Sequence, residues 1–89
     1  MDFEYDEKKS VKNKEKHGID FEEAKFLWND GAVVIPARYI DDENRYALIA
    51  HLNDKCYVAI FTIRDEKYRI ISVRRCRKKE EGLYENDKS

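Results

Sequence analysis

Apolar positions are densest between Cys56 and Val73, where their spacing is that of a β-hairpin. Tyr57–Ile63 (YVAIFTI) and Tyr68–Val73 (YRIISV) are rich in β-branched and aromatic residues, which suit a pleated, half-buried surface. The polar residues Asp65, Glu66 and Lys67 make a connection of hairpin length. The first arm is apolar on both parities, which predicts a central strand covered on both faces. Upstream, Ala32–Ile35 opens a strand that Pro36 ends or places at an edge. Asp41–Asn44 reads as an acidic turn. Arg45–Leu52 then alternates, with Tyr46, Leu48 and Leu52 on one parity and Arg45, Ile49 and His51 on the other.

The N-terminal pattern is helical. Phe3–Tyr5 suits an edge strand, and Asp6 can cap a helix running to about His17, with Gly18 where a left-handed residue is wanted. Val11 is that helix's only aliphatic residue, so lysine stems must supply much of its packing. Lys9, Asn13, Lys16 and His17 fall on one of its faces. Asp20 and Glu23 form a capping box for a second helix, with Phe21, Ala24, Phe26, Leu27 and Trp28 apolar, and Trp28 reads as core. Asn29–Gly31 stops it. Arg77–Glu85 suits a short terminal helix interrupted by Gly82, with Leu83 and Tyr84 packing back. The order β-α-α-β-β-β-β-α predicts an α+β fold in one domain over residues 1–89. It should be a small twisted antiparallel sheet, with both N-terminal helices against it. Phe21, Leu27, Trp28, Leu48, Val58, Ile60, Phe61, Ile70 and Val73 should be its deepest residues.

Charge changes this picture. Charged residues make up 42% of the 89-residue chain, against about 25% in ordinary domains, so the core is small. The net charge of −1 hides an uneven distribution. Residues 1–43 carry twelve acids against seven bases, whereas residues 64–79 carry eight bases against two acids. This is no general nucleic-acid coat, but one focused positive site is possible. No apolar run approaches the ~18 residues of a membrane span. With an acidic start and no signal peptide, a cytoplasmic location is expected, and free thiols at Cys56 and Cys76. Cys56, Cys76, His17 and His51 lack zinc-ligand spacing, so neither metal nor cofactor is expected.

Arg45, Arg64 and Arg74 lie near the ends of three expected strands, where a common phosphate site could assemble. Arginine suits it because its fork holds phosphate oxygens bidentately and stays charged. His17 could donate or accept a proton near neutral pH, or simply interact with its helix C-terminus. Lys9, Asn13, Lys16, Arg75, Lys78 and Lys79 are further candidates for binding phosphate. Arg75 should point away from Arg74, and ion pairs with the acidic half are expected for Arg69 and Arg77. A non-catalytic module that grips nucleic acid or an acidic partner is the alternative reading.

Asp6, Lys9, Asn13, the run Lys16-His17-Gly18, Phe21 and Ala24 together resemble the opening of BrnT-like toxins. The resemblance continues through Asp42 and Arg45, Thr62 and Arg64, the segment Arg69–Arg75 (RIISVRR), and Glu80 with Tyr84. Tyr5, Ala50 and Cys76 depart from it mildly. It implies a RelE-like ribonuclease fold and a metal-independent, translation-arresting endoribonuclease with RNA as substrate. It also implies a BrnA-like ribbon–helix–helix antitoxin, in a heterotetramer of two toxins around an antitoxin dimer. DNA would be reached only through that antitoxin.

Overall fold

The strands β1 (Asp2–Glu4), β2 (Val33–Ile40), β3 (Glu43–Leu52), β4 (Lys55–Arg64) and β5 (Lys67–Arg75) form one sheet in the order β1-β5-β4-β3-β2. Three helices join them: α1 (Glu7–His17), α2 (Phe21–Ala24, continued by a 3-10 turn at Lys25–Leu27) and α3 (Lys78–Lys88). These elements come from a computed structural model that describes residues 1–40 and 42–88. As the apolar run predicts, β4 is the central strand.

The sheet is mixed rather than wholly antiparallel. β1 pairs parallel to β5, with Phe3 beside Tyr68 and Glu4 beside Arg69. The chain leaves β1 and continues along β5 as α1, so the two strands must run the same way. β1 pairs only with the first third of β5. The rest of that edge is covered by α1, whose Asn13 carboxamide stands in for a neighbouring strand. Its Nδ2 donates to Val73 O at 2.9 Å, and its Oδ1 accepts from Val73 N at 3.2 Å.

The β3–β4 and β4–β5 hairpin turns both have two residues: Asn53–Asp54 turns as the sequence suggests, and the second is one residue tighter than expected. Asn53 and Asp54, and likewise Asp65 and Glu66, all have positive φ, the signature of two-residue type I′ turns. Lys67 therefore belongs to β5 and pairs with Arg64. The expected acidic turn begins at Asp41, outside the described residues; Asp42 has φ 58°, and Glu43 and Asn44 are already in β3.

One face of the sheet packs against α1, α2 and the 3-10 turn, burying Ile19, Phe21, Leu27, Leu48, Phe61, Ile70 and Val73. A bulge in β5 reconciles Ile70 and Val73, which would otherwise point to opposite faces. Ile60 pairs with Ser72 but Phe61 pairs with Ile70, leaving Ile71 as the extra residue. The other face buries Ala47, Ile49, Cys56 and Val58 under Tyr84 of α3. Ile60 lies at the rim of that smaller cluster and is only half-buried, because α3 covers one end of the face. Trp28 is also partly exposed.

The cysteines are disulfide-bonded to each other, not free. Tyr57 pairs with Arg75, so Cys56 and Cys76 are directly opposite at the open end of the hairpin, with Cα atoms 5.3 Å apart. Such a separation suits the bond.

Candidate active site

The face carrying α3 also carries the arginines. Residues paired across strands share a face, and Glu43, Arg45, Thr62, Arg64, Arg69, Ser72 and Arg74 all fall on this one by register. Each arginine meets a carboxylate. Arg45 Nε lies 3.5 Å and Arg64 Nη2 3.7 Å from Glu43, and Arg69 Nη1 lies 3.5 Å from Glu4. Arg69 thus pairs with the N-terminal half as expected; no ion pair of the Arg77 side chain is found among the described residues.

Arg74 is held most firmly. Its Nη1 and Nη2 donate to Glu80 Oε1 and Oε2 at 2.8 and 2.7 Å, and Nη1 also donates to Arg75 O at 3.1 Å. Glu80 Oε1 accepts the Arg77 main-chain N–H at 2.7 Å, which ties the start of α3 to the same group. These bonds hold the Glu80 carboxyl below the usual range and push Arg74 higher still. Three of the five guanidinium N–H groups are used. Among the described residues, the Nε–H and one Nη2–H have no hydrogen-bond partner.

A groove of about 300 Å³ lies between α1 and β5. It is lined by Lys9, Lys12, Lys16 and His17 of α1 and by Ile71 and Ser72 of β5. Arg74 is two residues beyond Ser72 on the same face of β5, about 7 Å along the strand, and does not itself line the groove. Four groups that are or can be cationic line it and no carboxylate does, a composition suited to an anion. Capping sets the helix that presents them: Asp6 accepts from Lys8 N and Lys9 N, and Gly18 at φ 76° closes the C-terminus. Lys12 follows no motif, but its place one turn from Lys9 and Lys16 makes it legible once the helix is drawn.

The structure divides the other candidates. Arg45 and Arg64 come together at Glu43, beside a hollow of about 370 Å³ lined by Asp42, Asn44, Tyr46, Thr62 and Ile63. Arg74 sits opposite Val58, six residues along β4 from Arg64, or about 20 Å at strand rise. They cannot hold one phosphate together. Asn13 drops out as a phosphate ligand, since its Nδ2 donates to both Ile19 O and Val73 O and its side chain is buried. Arg75 lies on the opposite face from Arg74, 5.7 Å above the Tyr57 ring. Lys78 and Lys79 are exposed in the first turn of α3. His51 stacks on Tyr84 at 4.4 Å, outside the groove. With both sulfurs bonded to each other, the cysteines supply no thiolate for a metal. A further hollow of about 450 Å³ between α1 and α2 is lined by Glu7, Glu15, Asp20 and Glu22, and its charge rejects an anion.

A cationic groove on a small α+β scaffold is the equipment of a protein that handles phosphodiesters. Residues 5–80 match the family model for a ribonuclease toxin of type II toxin–antitoxin systems. The chain belongs to that family, BrnT. A search of curated proteins finds no match. Among the described residues, no helix is long and apolar enough to cross a membrane.

Proposed function

We propose that this toxin is a metal-independent endoribonuclease that cuts RNA at the groove between α1 and β5 and thereby arrests translation in the cytoplasm. The observation that carries the reading is the groove that Lys9, Lys12, Lys16 and His17 line together, with Arg74 two residues further along β5 from its Ser72. Cleavage requires the ribose 2′-oxygen to bond to phosphorus while the bond to the 5′-oxygen breaks. One proton leaves the 2′-hydroxyl and one arrives on the 5′-oxygen, so a 2′,3′-cyclic phosphate forms without any co-reactant. His17 performs one of these proton transfers. Arg74 and the lysines neutralise the charge that gathers on the phosphorane. Glu80 fixes the plane of the guanidinium before substrate arrives. Arg64 and Arg45, about 20 Å away, bind the strand several nucleotides from the cut.

The same face suits restraint by a partner. The fold is RelE-like in this reading. Its antitoxin is a BrnA-like ribbon–helix–helix protein, assembled as two toxins around an antitoxin dimer, and through it the toxin reaches DNA. The test is cleavage of a defined RNA in excess EDTA, with the new ends analysed. Cyclic-phosphate ends support the proposal; full inhibition by EDTA, or 3′-hydroxyl ends, would refute it. Gel filtration with the cognate antitoxin tests the assembly.

A further inference from the structure

We propose that Ser72 reads the sugar of the bound strand: its hydroxyl bonds a ribose 2′-hydroxyl at the α1–β5 groove and makes the site select RNA over DNA; this rests on the ribonuclease reading above. The bulge in β5 is what puts Ser72 there. Arg69 shares a face with Thr62, and beyond the extra residue Ile71 that face continues through Ser72 and Arg74, which pair with Ile60 and Val58. An unbulged strand would carry Ile71 and Val73 on this face and turn Ser72 and Arg74 toward the helices. Bulges beside functional sites re-aim side chains in this way. Ile71 and Ser72 are the lining that β5 gives the groove, and both are half-buried.

Ser72 also has a free hydroxyl: among the described residues it has no hydrogen-bond partner. The buried hydroxyls differ, since Ser10 Oγ accepts from Phe21 N at 2.9 Å and Thr62 Oγ1 donates to Asn44 O at 2.7 Å. The other polar groups of the groove do not distinguish sugars. Lys9, Lys12 and Lys16 only donate, and they suit a phosphate of either nucleic acid, which carries no information about the rest of the nucleotide. Asn13 is committed to Ile19 O and Val73 O, and His17 is assigned to proton transfer. A serine hydroxyl both donates and accepts. So does a ribose 2′-hydroxyl, the group by which a protein tells RNA from DNA. Ser72 lies between the α1 lysines and Arg74, about 7 Å further along β5. The sugar attached to a phosphate held by these cations therefore passes over it.

The probes are a mixed-sequence RNA hexamer and its DNA counterpart with uracil in place of thymine, which differ only in the 2′-hydroxyls. Binding is measured by anisotropy on His17→Ala, in which cutting is slow. Tighter binding of the RNA is expected. Adding Ser72→Ala should weaken RNA binding about fivefold, the loss of one hydrogen bond, and leave DNA affinity and Tm unchanged. Ser72→Thr keeps the hydroxyl on a strand that favours β-branched residues, and it should keep the preference. A fall in RNA and DNA affinity together would show that Ser72 only shapes the groove, and would overturn the proposal. So would an unchanged RNA affinity in Ser72→Ala, no RNA preference in the starting protein, or no binding of either hexamer. Cleavage by the wild type is assayed separately: a chain that cuts RNA but fails these tests loses only the role of Ser72, and one that shows the preference but never cuts loses only the ribonuclease reading.

Discussion

Replacing Asn13 by alanine separates a structural role from a binding one. The side chain is 7% exposed and makes three main-chain hydrogen bonds: to Ile19 O at 2.8 Å, to Val73 O at 2.9 Å, and from Val73 N at 3.2 Å. Alanine removes the partner of one donor and two acceptors, all at the seam between α1 and β5. A buried main-chain group left unsatisfied costs about 1–3 kcal/mol. Water entering from the neighbouring groove will recover part of that, so a net loss of about 2–4 kcal/mol is expected. In a domain of this size each kcal/mol shifts Tm by about 4–8 °C, so Tm should fall by at least ~8 °C. Asn13→Asp should be worse, because it turns two donated bonds into a carboxylate facing two carbonyl oxygens. Thermal unfolding at neutral pH, with RNA binding measured well below Tm, is the assay. An Asn13→Ala protein with wild-type Tm and weakened RNA binding would show that the residue holds phosphate and that the seam is misread.

Other expectations follow from the same geometry. Reduction of Cys56–Cys76, which closes a loop of 20 residues, should cost about 3 kcal/mol; cleavage should survive reducing agent well below Tm, and loss of cleavage there would contradict a toxin that works in the cytoplasm. Glu80, Glu23 and Glu22 have carboxyls held below the usual range by Arg74, Lys14 and Tyr5 respectively, while the Lys9 and Lys8 main-chain N–H groups do the same for Asp6. Lowered carboxyl pKa values contribute stability above the unfolded range near ~4, and that stability is lost as pH falls through the folded values. Tm should therefore drop below about pH 4, and Glu80→Gln should flatten the drop; an unchanged slope would count against the Arg74 clamp. Ile60→Ala should cost about 1–2 kcal/mol, below the range for fully buried truncations, because Ile60 is half-exposed; a larger loss in chemical denaturation would show that α3 covers more of the face than described.

The elements were legible where periodicity and capping spoke directly. The central strand β4, the Asp6 and Gly18 caps of α1, and the Asp20–Glu23 capping box could all be read from residue types at fixed spacing. What could not be read was polar burial. The face that α1 turns inward is Ser10 and Asn13, while its one aliphatic residue, Val11, points to solvent. Ser10 Oγ accepts from Phe21 N at 2.9 Å and completes the start of α2. No hydrophobic pattern announces a helix that docks through hydrogen bonds. The disulfide was hidden for a related reason: it depends on a β4–β5 register that includes a bulge at Ile71, and the turn lacks an Asn-Gly signal. The arginine row was visible as charge, but its pairing with Glu4, Glu43 and Glu80 and its 20 Å spread are properties of the folded sheet.

The central claim is that side chains at the α1–β5 groove cut RNA. Single-turnover cleavage in excess EDTA by wild type, His17→Ala, Arg74→Ala and Arg64→Ala tests it most directly, with folding checked by Tm. The account predicts metal-free cleavage by wild type, a loss of about 10²–10³-fold for Arg74→Ala, typical of one preorganised charge-stabilising donor, with partial recovery in Arg74→Lys. It predicts about 10²–10⁴-fold for His17→Ala as a proton-transfer group. Arg64→Ala should mainly weaken RNA binding and leave the rate at saturation close to wild type. Folded His17→Ala and Arg74→Ala proteins that cut at the wild-type rate would contradict it.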